Sequence, residues 1–195
     1  DTSFMQSVWW VFKELYQKGL IYEGYKVVPY SIGISTPLSN FEANLNYKDT
    51  QDPAVTVAFQ LEDDPKTFFL AWTTTPWSLP GTVALAFHPK LRYTVAERDT
   101  GERFLIGEDL VERVAKDTGY RFVREAGTWN GEELSGLEFD HPFLERVMPA
   151  VLADYVTLEQ GTGVVTTAPG HGAEDFDTGQ RYGLEAYCPV DAAGR

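Results

Sequence analysis

The stretch Gly161-Thr162-Gly163-Val164-Val165-Thr166-Thr167-Ala168-Pro169-Gly170-His171-Gly172-Ala173-Glu174-Asp175-Phe176 changes character twice within a few residues. The apolar pair Val164 and Val165 reads as a strand, and Pro169 with Gly170 and Gly172 reads as the turn that ends it. Glu174 and Asp175 then fall in the first turn of a helix. Carboxylates are thereby delivered to the place where a strand stops and a helix starts. A second stretch, Trp72-Thr73-Thr74-Thr75-Pro76-Trp77-Ser78-Leu79-Pro80, does the same with hydroxyls. Its apolar strand, Phe68 to Trp72, runs into consecutive threonines before Pro76, which has no N–H to offer a ladder. Two strand ends with converging polar groups point to one shared pocket.

Outward from these ends, Val55, Val57, Phe59 and Leu61 alternate with Thr56, Ala58 and Gln60, the period of a half-buried strand. Asp63-Asp64-Pro65 turns it onto a second strand, Thr67 to Trp72. Val83 to Phe87 and Tyr93 to Glu97 read as another hairpin around His88-Pro89-Lys90, with His88 as a turn residue. Further short strands are expected at Phe104 to Ile106, Arg121 to Arg124 and Val147 to Ala153. Leu110, Val111 and Val114 mark a short amphipathic helix ending at Gly119. There is no Gly-rich phosphate loop after a strand and no repeated βαβ unit. The expected class is therefore mainly β, a small closed β-barrel of short strands with peripheral α-helices.

At the start of the chain, Ser3 reads as the N-cap of a helix carrying Phe4, Val8, Val11, Phe12 and Leu15, with Gly19 just past its end. Tyr25 to Val28 is expected to be a strand, and the Ser-, Pro-, Asn- and Asp-rich run from Ser31 to Pro53 a long loop. Residues 1–50 then form a junction of helix, strand and linking loop, and residues 51–195 the β-barrel domain.

Composition narrows the classes. An apolar content of 43% is enough for a packed core. Cys188 is the single cysteine, which excludes an internal disulfide and argues against a cysteine-built zinc site. The histidines are scattered without ligand spacing, so no metal is expected. No apolar run approaches the roughly 20 residues of a membrane span, and a soluble, cytoplasmic protein with no membrane partner is the expectation. The net charge of −13 runs against extensive phosphate binding.

Together, Trp72 to Gly81 and Gly161 to Phe176 resemble the editing domain of isoleucyl-tRNA synthetases, an insertion within a class I aminoacyl-tRNA synthetase. The resemblance extends to Ser7-Val8-Trp9-Trp10 and to Thr36-Pro37-Leu38-Ser39-Asn40-Phe41-Glu42, and so covers nearly the whole chain. It implies a proofreading hydrolase that deacylates mischarged valyl-tRNA(Ile), with valyl-adenylate as a further candidate substrate. The implied partners are the aminoacylated 3′ end of tRNA and the remaining domains of a parent synthetase. ATP and magnesium would belong to the absent catalytic domain, with no cofactor in this one. Given the acidic charge, only the last nucleotides of a tRNA would be held here, as in an excised piece of a larger enzyme.

The resemblance also implies roles. Asp175 would bind the α-ammonium of the esterified amino acid, and Thr73, Thr74 and Thr75 would line the ribose and carbonyl side, with Asp175, Thr74 and Thr75 as the catalytic set. Trp72, Thr166, Pro169 and His171 would complete the substrate-binding surface. Read from the residues alone, each has a plainer role. Asp175 is a first-turn acid that complements a helix dipole, the threonines are good strand formers, His171 faces solvent, and Trp72 and Trp77 are wall or core. No Gly-x-Ser-x-Gly elbow is present and Cys188 has no histidine close in sequence, so water is the expected nucleophile. The family commonly carries histidine where this chain has Thr166, which bears on how the pocket excludes isoleucine. Two alternatives stay open: a valyl-type editing domain acting on threonyl-tRNA, and a catalytically silent module that binds the acceptor end.

Overall fold

In a computed structural model that describes residues 1–195, nine strands form one sheet and a two-stranded ribbon stands apart from it. The chain opens with helix α1 (Thr2–Gln17), the ribbon strands β1 (Tyr30–Ser31) and β2 (Thr36–Pro37), and a single turn of helix, α2 (Asn40–Ala43). The sheet is built from β3 (Val55–Leu61), β4 (Asp64–Thr73), β5 (Ala84–Phe87), β6 (Arg92–Arg98), β7 (Arg103–Gly107), β8 (Phe122–Asn130), β9 (Glu138–Asp140), β10 (Val147–Leu152) and β11 (Val164–Thr167). Helix α3 (Val111–Thr118) precedes β8, and α4 (Ala173–Tyr182) follows β11.

The strand order is β11-β5-β10-β9-β3-β4-β7-β6-β8. The alternation over Val55 to Leu61 does form β3, paired antiparallel to β4 through a tight turn in which the Thr67 hydroxyl donates to Asp64 Oδ2 at 2.7 Å. The short helix ends as expected, with Gly119 in the left-handed region at φ 71°. Phe59, Phe69, Phe87, Tyr93 and Phe139 are completely buried at the centre. Phe69 lies 4.5 Å from the Phe139 ring centroid and 5.4 Å from that of Phe87. Each such side chain contributes about 1.5–3 kcal/mol by leaving water.

Four expectations are corrected. The sheet is not closed into a barrel: its terminal strands, β11 and β8, have no ladder between them. Gly161 and Gly163, at φ 72° and 78°, turn the chain so that its approach to β4 and β7 is made by single bonds. The Gly107 N–H donates to Thr162 O at 2.9 Å, and the Thr162 hydroxyl donates to Leu70 O. Next, β5 does not form a hairpin with β6. Every residue of β5 is buried, and it sits between two partners, parallel to β10 and antiparallel to β11. Tyr25 to Val28 is not a strand, because no neighbouring chain offers it a ladder, and the pairing falls later, at Tyr30↔Pro37. Finally, Asp1 rather than Ser3 caps α1, its carboxylate accepting the Ser3 N–H at 3.1 Å.

No residue of α1 is buried: Phe4, Trp9 and Trp10 are 70%, 68% and 62% exposed. No helix is long and apolar enough to cross a membrane.

A candidate hydrolytic cleft between two strand ends

Strand β4 ends at Thr73, and the polar groups beyond it bond to one another. Thr73 Oγ1 accepts the Thr75 N–H at 3.0 Å and lies 3.2 Å from Thr75 Oγ1. Thr75 Oγ1 is in turn 3.3 Å from Ser78 Oγ, which donates to the Thr75 carbonyl at 2.7 Å. The arrangement is local, as expected of Ser and Thr hydroxyls near a turn. Pro76 starts the 3-10 turn Pro76–Gly81 with its preset φ. None of these hydroxyls is hydrogen-bonded to a side-chain base.

The acidic side is built at the end of β11. Ala168 and Pro169 leave the strand, the His171 N–H returns to Ala168 O at 2.8 Å, and Gly172 caps α4 in an extended conformation. Asp175, in the first turn of α4, does not bond to the free N–H groups of its own helix. Its Oδ2 accepts the Ala168 N–H at 2.8 Å and its Oδ1 accepts the Tyr155 hydroxyl at 3.2 Å. Asp175 thus sits in the first turn of α4, where its charge complements the helix dipole, while its hydrogen bonds go to groups outside that helix.

The two ends meet across a cleft of about 230 Å³. Trp72, Thr73, Thr75, Thr166, His171 and Asp175 line it, so six of the residues singled out in the sequence are brought together. Thr74 is exposed and outside the lining, and Pro169 is buried against α4, where Gly179 has no side chain to obstruct it. Trp77, Ser78, Val165, Ala168 and Gly172 complete the wall. Val165 was legible only as a strand residue, and nothing in the sequence signalled Tyr155. The other histidines are elsewhere. His88 is a turn residue whose Nδ1 accepts the Lys90 N–H at 3.1 Å, and buried His141 bonds through Nε2 to Leu79 O at 2.9 Å.

Burial pushes the Asp175 carboxyl above the ordinary aspartate range, with Glu174 adding to the rise, while the Ala168 N–H, the Tyr155 hydroxyl and His171 pull it back. An arriving cation would pull it further down, because an opposite charge favours the ionised form. Burial holds His171 below the usual imidazole value, opposed by Asp175. Its ring stands edge-on to Trp77, with centroids 5.2 Å apart, and its Nε2 is buried without a hydrogen-bond partner. The cleft thus offers a carboxylate on one side and hydroxyls on the other, while the His171 ring forms part of the wall with its Nε2 packed toward Gly81.

The family model for class I tRNA synthetases (I, L, M and V) matches residues 1–161. The chain belongs to this family. It is 48% identical over 202 residues to the isoleucine--tRNA ligase of Bdellovibrio bacteriovorus, the match covering 100% of this chain and 19% of that ligase. It is 44% identical over 205 residues to that of Protochlamydia amoebophila, covering 100% and 19%. Against the cytoplasmic isoleucine--tRNA ligase of Schizosaccharomyces pombe it is 42% identical over 205 residues, covering 98% and 19%. The synthetase chain thus spans about a fifth of the length of these curated relatives. In fold it is similar to GlLeuRS-CP1, with a TM-score of 0.54 at 17% identity over 69% of this chain and 66% of that one. It also resembles the P. knowlesi cytosolic leucyl-tRNA synthetase editing domain, with a TM-score of 0.51 at 16% identity over 60% and 52%.

Proposed function

We propose that this chain is the proofreading part of an isoleucyl-tRNA synthetase and hydrolyses the ester of valyl-tRNA(Ile). The observation that carries the reading is Asp175, a largely buried carboxylate held from behind by two donors and lining a cleft whose opposite wall is a cluster of hydroxyls.

An aminoacyl ester offers an α-ammonium group, a carbonyl and a ribose, and the cleft has a counterpart for each. The ammonium pairs with Asp175 through a charge-assisted hydrogen bond. The hydroxyls of Thr73, Thr75 and Ser78 receive the ribose and polarise the carbonyl. Water attacks that carbonyl, and valine and the free 3′ end leave. No hydroxyl in the cleft is bonded to a base that would activate it, which supports water as nucleophile, with the rate coming mainly from positioning of a reactive ester.

The need for such a step lies in a limit of recognition, for which isoleucyl-tRNA synthetase is itself the standing example: one methylene discriminates by only about 1–3 kcal/mol. The exposed aromatic face of α1 supports docking of the remaining synthetase domains, which would hold the body of the tRNA that this acidic chain does not. No cofactor is assigned to this step.

Deacylation of tRNA(Ile) carrying valine, isoleucine or threonine tests the reading. Valyl-tRNA(Ile) should be hydrolysed preferentially, and Asp175→Ala should abolish hydrolysis while the melting transition survives. A threonyl preference would assign a valyl-type editing domain. Acceptor-end binding without hydrolysis would assign the silent module.

A further inference from the structure

Tyr155 is not part of the cleft wall, yet it touches the residue on which the proposed chemistry turns. It lies in the connection between β10 and β11, and its side chain packs with Val165 and Leu184 against a cluster of buried residues that includes Ala86, Val151 and Val156. From there its hydroxyl donates to Asp175 Oδ1 at 3.2 Å. Ala168, on a different segment, donates its N–H to Oδ2 at 2.8 Å. Each carboxylate oxygen thus has one donor behind it, anchored by elements other than α4, which carries Asp175. Burial, with the Asp175 charge beside it, pushes the Tyr155 hydroxyl up to about 12, so it keeps its proton wherever the carboxyl titrates. The other charged or titratable neighbours of Asp175 are Glu174 on its own helix and His171 in the preceding turn.

We propose that Tyr155 is a positioning residue: with Ala168 it fixes the Asp175 carboxylate in one orientation, so that the remaining lone pairs face the cleft and receive the ammonium group of an esterified amino acid. The inference rests on the proposed function for the identity of the cation, but the hold on the carboxylate does not depend on it. A phenol suits this position because it reaches from a packed cluster, donates one hydrogen bond to the charged form and brings no charge that would compete with the substrate. Removing it leaves a buried carboxylate with one donor fewer, which favours the neutral acid.

Tyr155→Phe is the test, with deacylation and a ¹³C NMR titration of the Asp175 carboxyl as separate readouts. In Tyr155→Phe the carboxyl should titrate at higher pH than in the parent chain. The acid limb of the deacylation profile should move up with it, and KM for valyl-tRNA(Ile) should rise by about tenfold, the lower end for a hydrogen bond to a charged group. In an Asp175→Asn background the same substitution should raise KM by much less than tenfold, since its effect on the ammonium group runs through the charged carboxylate. A merely structural tyrosine would lower the melting temperature, leave the titration unmoved and add its loss to that of Asp175→Asn, and that result would overturn the proposal. If the parent chain hydrolyses no ester, the proposed function falls and the titration still decides the role of Tyr155.

Discussion

Asp175 reaches back over the turn that precedes its own helix to accept the Ala168 N–H at 2.8 Å. The start of α4 and the end of β11 are joined by this bond, so the acid sits against the sheet rather than swinging with the helix. A donor that also holds the carboxylate from the wall side leaves fewer orientations to lose when a ligand binds.

Placing that acid in a buried site has a stability cost with a defined pH dependence. Burial is the largest influence on it and raises its folded-state value above the ordinary 3.8. The fold therefore favours the protonated carboxyl. The associated stability is fully present below the ordinary aspartate value and is lost as pH rises through the raised one. Asp175→Asn should remove this loss, so its urea midpoint should exceed that of the parent chain at neutral pH, with the difference shrinking as pH falls through the carboxylate range. A midpoint below the parent's at neutral pH would show that the Ala168 and Tyr155 bonds outweigh burial. The same variant should bind the ester more weakly and so deacylate less efficiently, by about 1.5–3 kcal/mol, the range for a hydrogen bond to a charged group, an exchange of stability for function common at binding sites.

Thr166 is buried at 9% exposure and lines the cleft. Threonine is smaller than histidine, so if the cleft takes the esterified side chain as proposed, the wall at this point would leave room for the extra methylene of isoleucine. Thr166→His should reduce hydrolysis of isoleucyl-tRNA(Ile) more than that of valyl-tRNA(Ile), with a differential within about 1–3 kcal/mol. Equal responses of the two esters in a side-by-side assay would remove Thr166 from the selectivity wall.

Tyr93 is completely buried and its hydroxyl joins separate segments, donating to Gly163 O at 2.8 Å and accepting the His88 N–H at 3.0 Å. Tyr93→Phe leaves both groups without that partner in the interior, which should cost about 1–3 kcal/mol in denaturant unfolding. Gly163 lies in the turn entering β11, so the loss should be accompanied by a rise in KM. An unchanged unfolding midpoint would contradict this account.

Gly161 and Gly183 form a matched pair for separating backbone strain from packing. Both lie in the left-handed region, at φ 72° and 67°, but a Cβ at Gly161 would come within 3.1 Å of Trp72 Cβ while one at Gly183 would meet nothing within 4 Å. Alanine at either position should cost about 1–2 kcal/mol from backbone conformation. Only Gly161→Ala should also press on the tryptophan that lines the cleft and so lower kcat/KM. Equal activities in the two variants would show that the Trp72 wall yields freely.

How far the site could be read from sequence depended on whether a residue acts through its neighbours in the chain. The threonine run, Thr166, His171 and Asp175 lie at strand ends that proline and glycine mark locally, and period-two alternation in β3 was equally plain. The sequence groups Thr74 with its neighbours, because a strand end does not show which hydroxyl turns outward. Pro169 is adjacent in sequence to residues of the cleft and so is expected on its substrate-binding surface, whereas it packs beneath α4 and outside the lining. Tyr155 was invisible because its partner is on another element. The false hairpin of β5 with β6 has the same origin: a tight turn at Pro89 and Lys90 suggests antiparallel return, whereas a strand with no exposed residue needs a partner on each side, and those partners come from distant sequence. Closure of the barrel was likewise a matter of how two distant edges meet, which no local pattern encodes.

The pairing of Thr166 with Leu85 also bears on how the protein is made. Strand β5 leaves the ribosome well before β10 and β11 exist to cover it. At about 5–20 residues per second the delay is on the order of ten seconds. Until β10 is made, Ala84, Leu85, Ala86 and Phe87, all completely buried in the finished fold, have neither of their strand partners, and until β11 follows they have only one. Of the strands of this sheet β11 comes last in the sequence and completes both the sheet and the cleft, so a nascent chain arrested before Val164 carries the threonine wall and an open strand edge but not Asp175.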